Sequence, residues 1–266
     1  MGSDHTRSAS TVLAERLIEA TESYQSMGPV EPDLVPASVE HAEQVSDLVA
    51  SITGWEVAGW KIGATSEQSQ KVLGASEPFA GRVYSLFLGD TAIGDERLWS
   101  DPKLEGEFAF TLSQDIPAGA GPLSRSEIIS RVGLVHPAIE VVGGRFADMS
   151  GTNINCLIAD AGANCHLILG SGVDPSTQSL DELPTVQAAL TTNGEVVGQG
   201  DGTHVLGDPI NALGWLVEHL ARRGIDLKAG QVVTTGSATQ MSPFPAGSTS
   251  VATLGGIGSV SLTRSS

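Results

Sequence analysis

Glu105 and Glu107 stand two residues apart in "KLEGEFAFTL", among Leu104, Phe108, Ala109, Phe110 and Leu112. Apolar residues around so short a run predict a strand, and residues i and i+2 of a strand point to one face. Both carboxylates therefore sit side by side on a largely apolar element. Glu140 has a similar setting in "LVHPAIEVVGG", between Ala138, Ile139, Val141 and Val142. A buried charge without a partner is costly or changes its protonation state. Basic partners relieve this only in part, because 14 Lys and Arg serve 31 Asp and Glu. A shared divalent cation is the other escape. Oxygen-only ligands favour a hard ion, Mg²⁺ first, with Mn²⁺ or Ca²⁺ as alternatives. Three carboxylates would leave positions open for water or a chelating substrate. The spacing equally fits glutamates facing water from half-exposed strands, since E-x-E is a frequent pattern. Lys61, in the Gly-flanked run "GWKIGATSEQ", is either a surface lysine at a strand end or a cation held in a site.

These residues need elements to hold them. "TVLAERLIEATESYQ" places Val12, Leu13, Leu17, Ile18 and Ala20 at helical spacing, and "SVEHAEQVSDLVASI" does the same with Val39, Ala42, Val45, Leu48 and Val49. The Pro-rich "GPVEPDLVPAS" connects them. Thr65 with Gln68 predicts a capped short helix ending near Gly74, and Ser124 with Glu127 predicts another. "TVQAALTTNGEVVGQGDG" reads as a hairpin turning at Asn193-Gly194. In "DPINALGWLVEHLARRG" Asp208 caps a helix, Pro209 opens it and Gly224 ends it. Its apolar stripe is Ile210, Leu213, Leu216, Val217 and Leu220. The remainder is strand and turn. The expected architecture is α+β: a disordered tip over residues 1–10, a helical layer over 11–54, and a β-rich mixed body over 55–266, one domain overall.

At 266 residues and 40% hydrophobic, the chain can bury a substantial core. A net charge of −17 disfavours nucleic acid and anionic membranes as partners. No apolar run is long enough to span a bilayer, and "MGSDHTRSAS" lacks the basic and apolar parts of a signal peptide. Cys156 and Cys165, without a CxxC pattern, read as reduced buried thiols, and the expected compartment is the cytoplasm.

Several stretches together resemble the fumarylacetoacetate hydrolase superfamily, within it the 2-keto-4-pentenoate hydratase and 4-oxalocrotonate decarboxylase branch. They are "GWKIGATS", "PKLEGEFAFTL", "VHPAIEVVGGR", the long run from Asn193 to Ser237 with "LGDPINALGWL" and "LKAGQVVTTGS", and the closing "GGIGSVSL". The resemblance implies mixed β-sheets rolled around the site and a divalent metal, Mg²⁺ with Mn²⁺ able to replace it, on Glu105, Glu107 and Glu140. A third ligand in a "PAxE" run, "PAIE" here, is the mark of the hydratase and decarboxylase branch. Lys61 matches that branch's active-site lysine, an acid/base or carboxylate-binding group. Ser237 and Thr239 match a substrate-side loop. His136 reads as structural, and His166 and His204 carry no assignment.

The implied activity is a lyase: hydration of a 2-hydroxy-2,4-dienoate through a metal-stabilised enolate, as in catabolism of aromatic or cyclic compounds. The alternatives are a 2-oxo-3-enedioate decarboxylase, a C–C bond hydrolase, or a catalytically lapsed subunit partnering a decarboxylase or hydratase. A homo-oligomer packed through residues 11–50 is also implied. Two departures stand out. The family's "EPD" reads "SEPFAGRVYS" here, so Phe79 replaces an Asp that handles protons. Glu77 is then the nearest carboxylate for that task, and Phe79 is expected to line the pocket and favour a larger apolar tail. The family's "ADNASS" reads "ADAGANCH", which loses a polar pair near the substrate.

Overall fold

A computed structural model describes residues 7–265. Of the segment read as a disordered tip, residues 1–6 lie outside the described residues, and residues 9 and 10 are already helical. Ser8 is the reason: its hydroxyl accepts the Thr11 N–H and caps α1 (Ala9–Ser23). α2 (Val39–Thr53) starts on Ser38 and stops where Gly54 turns left-handed. The chain continues through β1 (Val57–Gly63), α3 (Glu67–Leu73), β2 (Phe79–Tyr84), β3 (Ala92–Ile93), β4 (Lys103–Leu112), α4 (Arg125–Ile129) and β5 (Val132–Val142). Then come α5 (Ile154–Ala159), β6 (Asn164–Leu169), β7 (Gln187–Thr192), β8 (Glu195–Asp201), α6 (Pro209–Arg222), β9 (Val232–Ser237), β10 (Ser242–Pro243), β11 (Thr249–Leu254) and β12 (Gly258–Arg264).

Most local signals are realised. β7 and β8 turn at Asn193 and Gly194, both left-handed at φ 52° and 84°. Ser124 and Glu127 cap each other's backbone at α4, and the Asp208 carboxylate accepts the Ile210 N–H at α6. The start of α3 differs by one residue. Ser66, not Thr65, is the cap, because its hydroxyl and that of Ser69 satisfy each other's backbone N–H groups.

The strands form a seven-stranded sheet, β2-β1-β9-β4-β5-β6 with β10 beside β4, and a five-stranded sheet, β3-β12-β11-β7-β8. One face of β4 and β5 is wholly apolar. Leu104, Ile139 and Val141 pack against Leu190, Ala252, Val260 and Leu262 of the second sheet. Phe108 and Phe110 pack with Ile210, Leu213, Leu216 and Leu220 of α6. α1 and α2 bury Leu13, Leu17, Ala42, Val45 and Val49 against α5, Phe79, Val142 and Phe146. Covered on one face in this way, β4 and β5 have their other face free for charge. Cys156 and Cys165 are free and buried. His136 is held between the Thr111 hydroxyl and the Gly170 carbonyl, a structural placement. Among the described residues no helix is long and apolar enough to cross a membrane.

Candidate active site

The antiparallel register of β4 and β5 sets Glu105 directly opposite Glu140 and Glu107 opposite Ala138. Each of the three glutamates offers an oxygen within 4.8 Å of the others. Glu107 and Glu140 are fully buried, whereas Glu105 is half-buried and marks the open side. A slip of one residue would drive the carboxylates into the apolar core, so the hydrophobic face fixes the cluster.

Lys61 enters from β1. It lies in register with Thr234 of β9, the strand between β1 and β4. Its buried ammonium stands 3.2 Å from Glu140 Oε2 and donates to the Gly162 carbonyl at 3.1 Å. The other contacts come from irregular backbone. Along β9 the partners jump from Ser237, opposite Glu107, to Thr234, opposite Ala109. This bulge has Gly236 at φ 96°. It aims the Thr234 hydroxyl and the Gly236 N–H, the latter at 3.0 Å, at Glu107 Oε2. A Cβ on Gly236 would lie 2.2 Å from the Thr65 hydroxyl, so glycine is needed there. Glu140 Oε1 accepts from Asn164 Nδ2 at 2.8 Å.

The electrostatics are unbalanced. Burial, then the Glu140 charge, pushes the Glu105 carboxyl up to about 7. Burial, with the charges of Glu140 and Glu105, holds Glu107 well above the ordinary carboxylate range. Burial opposes the Lys61 charge, yet attraction to Glu140, Glu105 and Glu107 outweighs it, and the lysine stands above its usual value. Glu107 Oε1 is buried without a hydrogen-bond partner, and Glu140 Oε2 has only the Lys61 ammonium beside it. An orphaned Glu107 oxygen, and three acids facing one ammonium, fit a divalent cation held by Glu105, Glu107 and Glu140.

The remaining expected residues fall at varying distances from this centre. Thr239 accepts the Gly106 N–H at 3.1 Å, between the two β4 glutamates, and Ser237 donates to the Thr239 carbonyl at 2.7 Å. Phe79 is buried, its ring centroid 5.7 Å from Lys61 Nζ. Its ring packs so closely on Gly63 that a Cβ there would fall 2.3 Å from it. Glu77 is exposed in the turn before β2, away from the buried cluster's hydrogen bonds. Thr234, Gly236, Gly162 and Asn164 are contacts that strand alternation does not announce.

Comparison with known proteins decides the family. The chain is 33% identical over 253 residues to 2-keto-4-pentenoate hydratase of Paraburkholderia phymatum, covering 93% of this chain and 94% of that one. The chain belongs to the hydratase and decarboxylase branch of the fumarylacetoacetate hydrolase superfamily. It is also 30% identical over 254 residues to 2-hydroxyhexa-2,4-dienoate hydratase of Comamonas testosteroni, covering 93% and 94% of the two chains. In structure it resembles 4-oxalocrotonate decarboxylase from Pseudomonas putida G7 complexed with magnesium and adipate. That likeness has a TM-score of 0.87 at 25% identity over 99% of this chain and 100% of the other. No protein-family model matches the chain. Within this branch the sheets and helices are those of the fumarylacetoacetate hydrolase-like fold.

Proposed function

We propose that the chain is a lyase that hydrates a 2-hydroxy-2,4-dienoate of the 2-keto-4-pentenoate type, with Mg²⁺ on Glu105, Glu107 and Glu140 and Mn²⁺ able to replace it. The observation that carries this reading is the buried cluster of three carboxylates with a single ammonium, in a chain whose relatives are named hydratases. A bound cation supplies Lewis-acid stabilisation of charge on the oxygen at C2 of a 2-oxo acid.

The protein's own groups supply the rest. Hydration of a 2-hydroxy-2,4-dienoate needs the 2-hydroxyl to give up its proton as C5 gains one, and then one water to add its hydroxide at C4 and its proton at C3. Lys61 Nζ is the proton-bearing side chain against the cluster, and we assign it to proton delivery, with its orientation set by Gly162 and Glu140. Thr239 fixes the backbone between Glu105 and Glu107, and Ser237 and Thr239 border the substrate. Phe79 closes the Lys61 side with an apolar face, which suits an alkenyl tail and moves no proton. Exposed Glu77 takes up that transfer only if its turn folds inward.

A second reading, a 2-oxo-3-enedioate decarboxylase, is favoured by the structural likeness to 4-oxalocrotonate decarboxylase. Sequence favours hydration, since the relatives at 33% and 30% identity are named hydratases. With Mg²⁺, 2-hydroxypenta-2,4-dienoate should lose its ultraviolet absorbance without carbon dioxide release. Release from a 2-oxo-3-enedioate, with no loss of the dienoate, would transfer the assignment to decarboxylation. The same reading carries a cytoplasmic homo-oligomer joined through α1 and α2, where Ile52 is exposed. A monomer by light scattering at micromolar concentration would count against that assembly.

A further inference from the structure

Arg145 grips both ends of one strained turn. Its backbone N–H donates to Asp160 Oδ2 at 2.8 Å, and its Nε lies 3.4 Å from Asp160 Oδ1. Its Nη1 donates to the Asn164 carbonyl. Between those two residues Ala161, Gly162 and Ala163 are all left-handed, at φ 50°, 69° and 59°. Left-handed backbone is unfavourable for alanine and persists only where the surroundings enforce it. The turn is pressed against the site, since a Cβ on Gly162 would lie 2.9 Å from Lys61 Cδ and from the Phe79 ring.

The same turn delivers two site contacts, the Gly162 carbonyl to Lys61 and the Asn164 amide to Glu140. Arg145 is itself immobilised. Its guanidinium stacks 4.3 Å from the Trp99 ring centroid and 5.2 Å from that of Phe87. Its Nε donates to the Thr21 hydroxyl of α1 at 3.1 Å, and Trp99 Nε1 donates to the Ala20 carbonyl at 2.9 Å. We propose that Arg145 is a positioning residue for the cation site: by clamping the left-handed turn it holds Glu140 and Lys61 in place and ties them to the helical layer. Arg145 bonds to none of the three glutamates; it acts through Gly162 and Asn164. The inference rests on the cation reading above.

Mn²⁺ affinity, measured by electron paramagnetic resonance and calorimetry on folded protein, tests it without relying on turnover. Asn164→Ala removes the donor to Glu140, and Arg145→Lys cannot span both ends of the turn. Each should weaken Mn²⁺ binding by about 10- to 100-fold, as outer partners of metal ligands do. Glu43→Gln disturbs a buried ion pair between α2 and α6 and is the control. It should lower the melting temperature and leave Mn²⁺ affinity unchanged. Wild-type affinity in folded Arg145→Lys would overturn the proposal, as would an equal loss in Glu43→Gln. Should Arg145→Lys fail to fold, Asp160→Asn loosens the same clamp from its other side, with the same expectation and the same refutation. Absence of Mn²⁺ binding by wild type would instead bring down the cation reading, and this inference with it.

Discussion

Two buried charge clusters in this protein are built to opposite ends. Between α2, α6 and β2, Glu43 meets His219 at 2.6 Å and Arg223 at 3.5 Å, while Asp47 pairs with Arg223 and Arg82. Acids and bases balance, and none of its buried polar atoms lacks a partner. At the β4–β5 cluster three acids face one lysine, and Glu107 Oε1 is left without a partner. Each cluster has a buried acid at its centre, Glu43 in one and Glu107 with Glu140 in the other, so burial alone does not separate them. Imbalance does: a satisfied cluster holds elements together, whereas an overcharged one is complete only with a ligand.

Substitutions break this contrast most sharply at Glu107. Glu107→Gln should lower cation affinity and turnover by more than about 100-fold, beyond what outer partners of a ligand contribute. The same change removes a carboxyl that burial and two neighbouring acids keep from ionising, so at alkaline pH the metal-free protein should melt higher, by roughly 2–4 °C if the relief is about 1 kcal/mol. A metal-free melt that falls would show that the carboxylates are satisfied as they stand. The balanced cluster should behave in reverse. Glu43→Ala should cost about 3 kcal/mol in denaturant unfolding, the scale of breaking a buried pair, with cation affinity intact. Parallel losses of stability and affinity would erase the distinction.

A smaller effect is expected at Phe79. Phe79→Leu should change the kcat/KM ratio between 2-hydroxypenta-2,4-dienoate and a longer-tailed dienoate by about 10-fold, the scale of a few methylenes in an apolar pocket. An unchanged ratio means that the ring only packs Lys61. The mildest expectation concerns pH. In the metal-free protein the Glu105 carboxyl titrates near 7 rather than at 4.5. The folded chain therefore binds more protons than the unfolded one between those values, so metal-free stability is greatest at the acid end and is lost as pH rises through 7. A cation must displace those protons, so the thermal shift given by Mg²⁺ should be larger at pH 8 than at pH 6. A larger shift at pH 6 would contradict the proton accounting.

Sequence pattern carried the three glutamates a long way. Alternation placed Glu105 and Glu107 on one face, and the apolar runs placed Glu140 on a strand able to pair beside them. Asn193-Gly194 and Asp208-Pro209 announced their hairpin and helix because their chemistry is local. The residues that hold the glutamates were not legible. Thr234 and Gly236 reach Glu107 only through a bulge in β9, and Asn164 reaches Glu140 only through a left-handed turn. Neither irregularity leaves a period in the sequence. Thr65 and Ser66 can both cap a helix, and only the reciprocal bond with Ser69 selects the second. Glu77 illustrates the converse, since nearness in sequence to Phe79 did not place it in the buried cluster.

The most direct test of the central claim is a metal count on purified protein. Elemental analysis after dialysis against Mg²⁺ or Mn²⁺ should find one divalent ion per chain in wild type and none in Glu107→Gln, with chelation abolishing dienoate turnover and Mg²⁺ restoring it. Full turnover in the presence of chelator, or equal metal content in both proteins, would contradict the account.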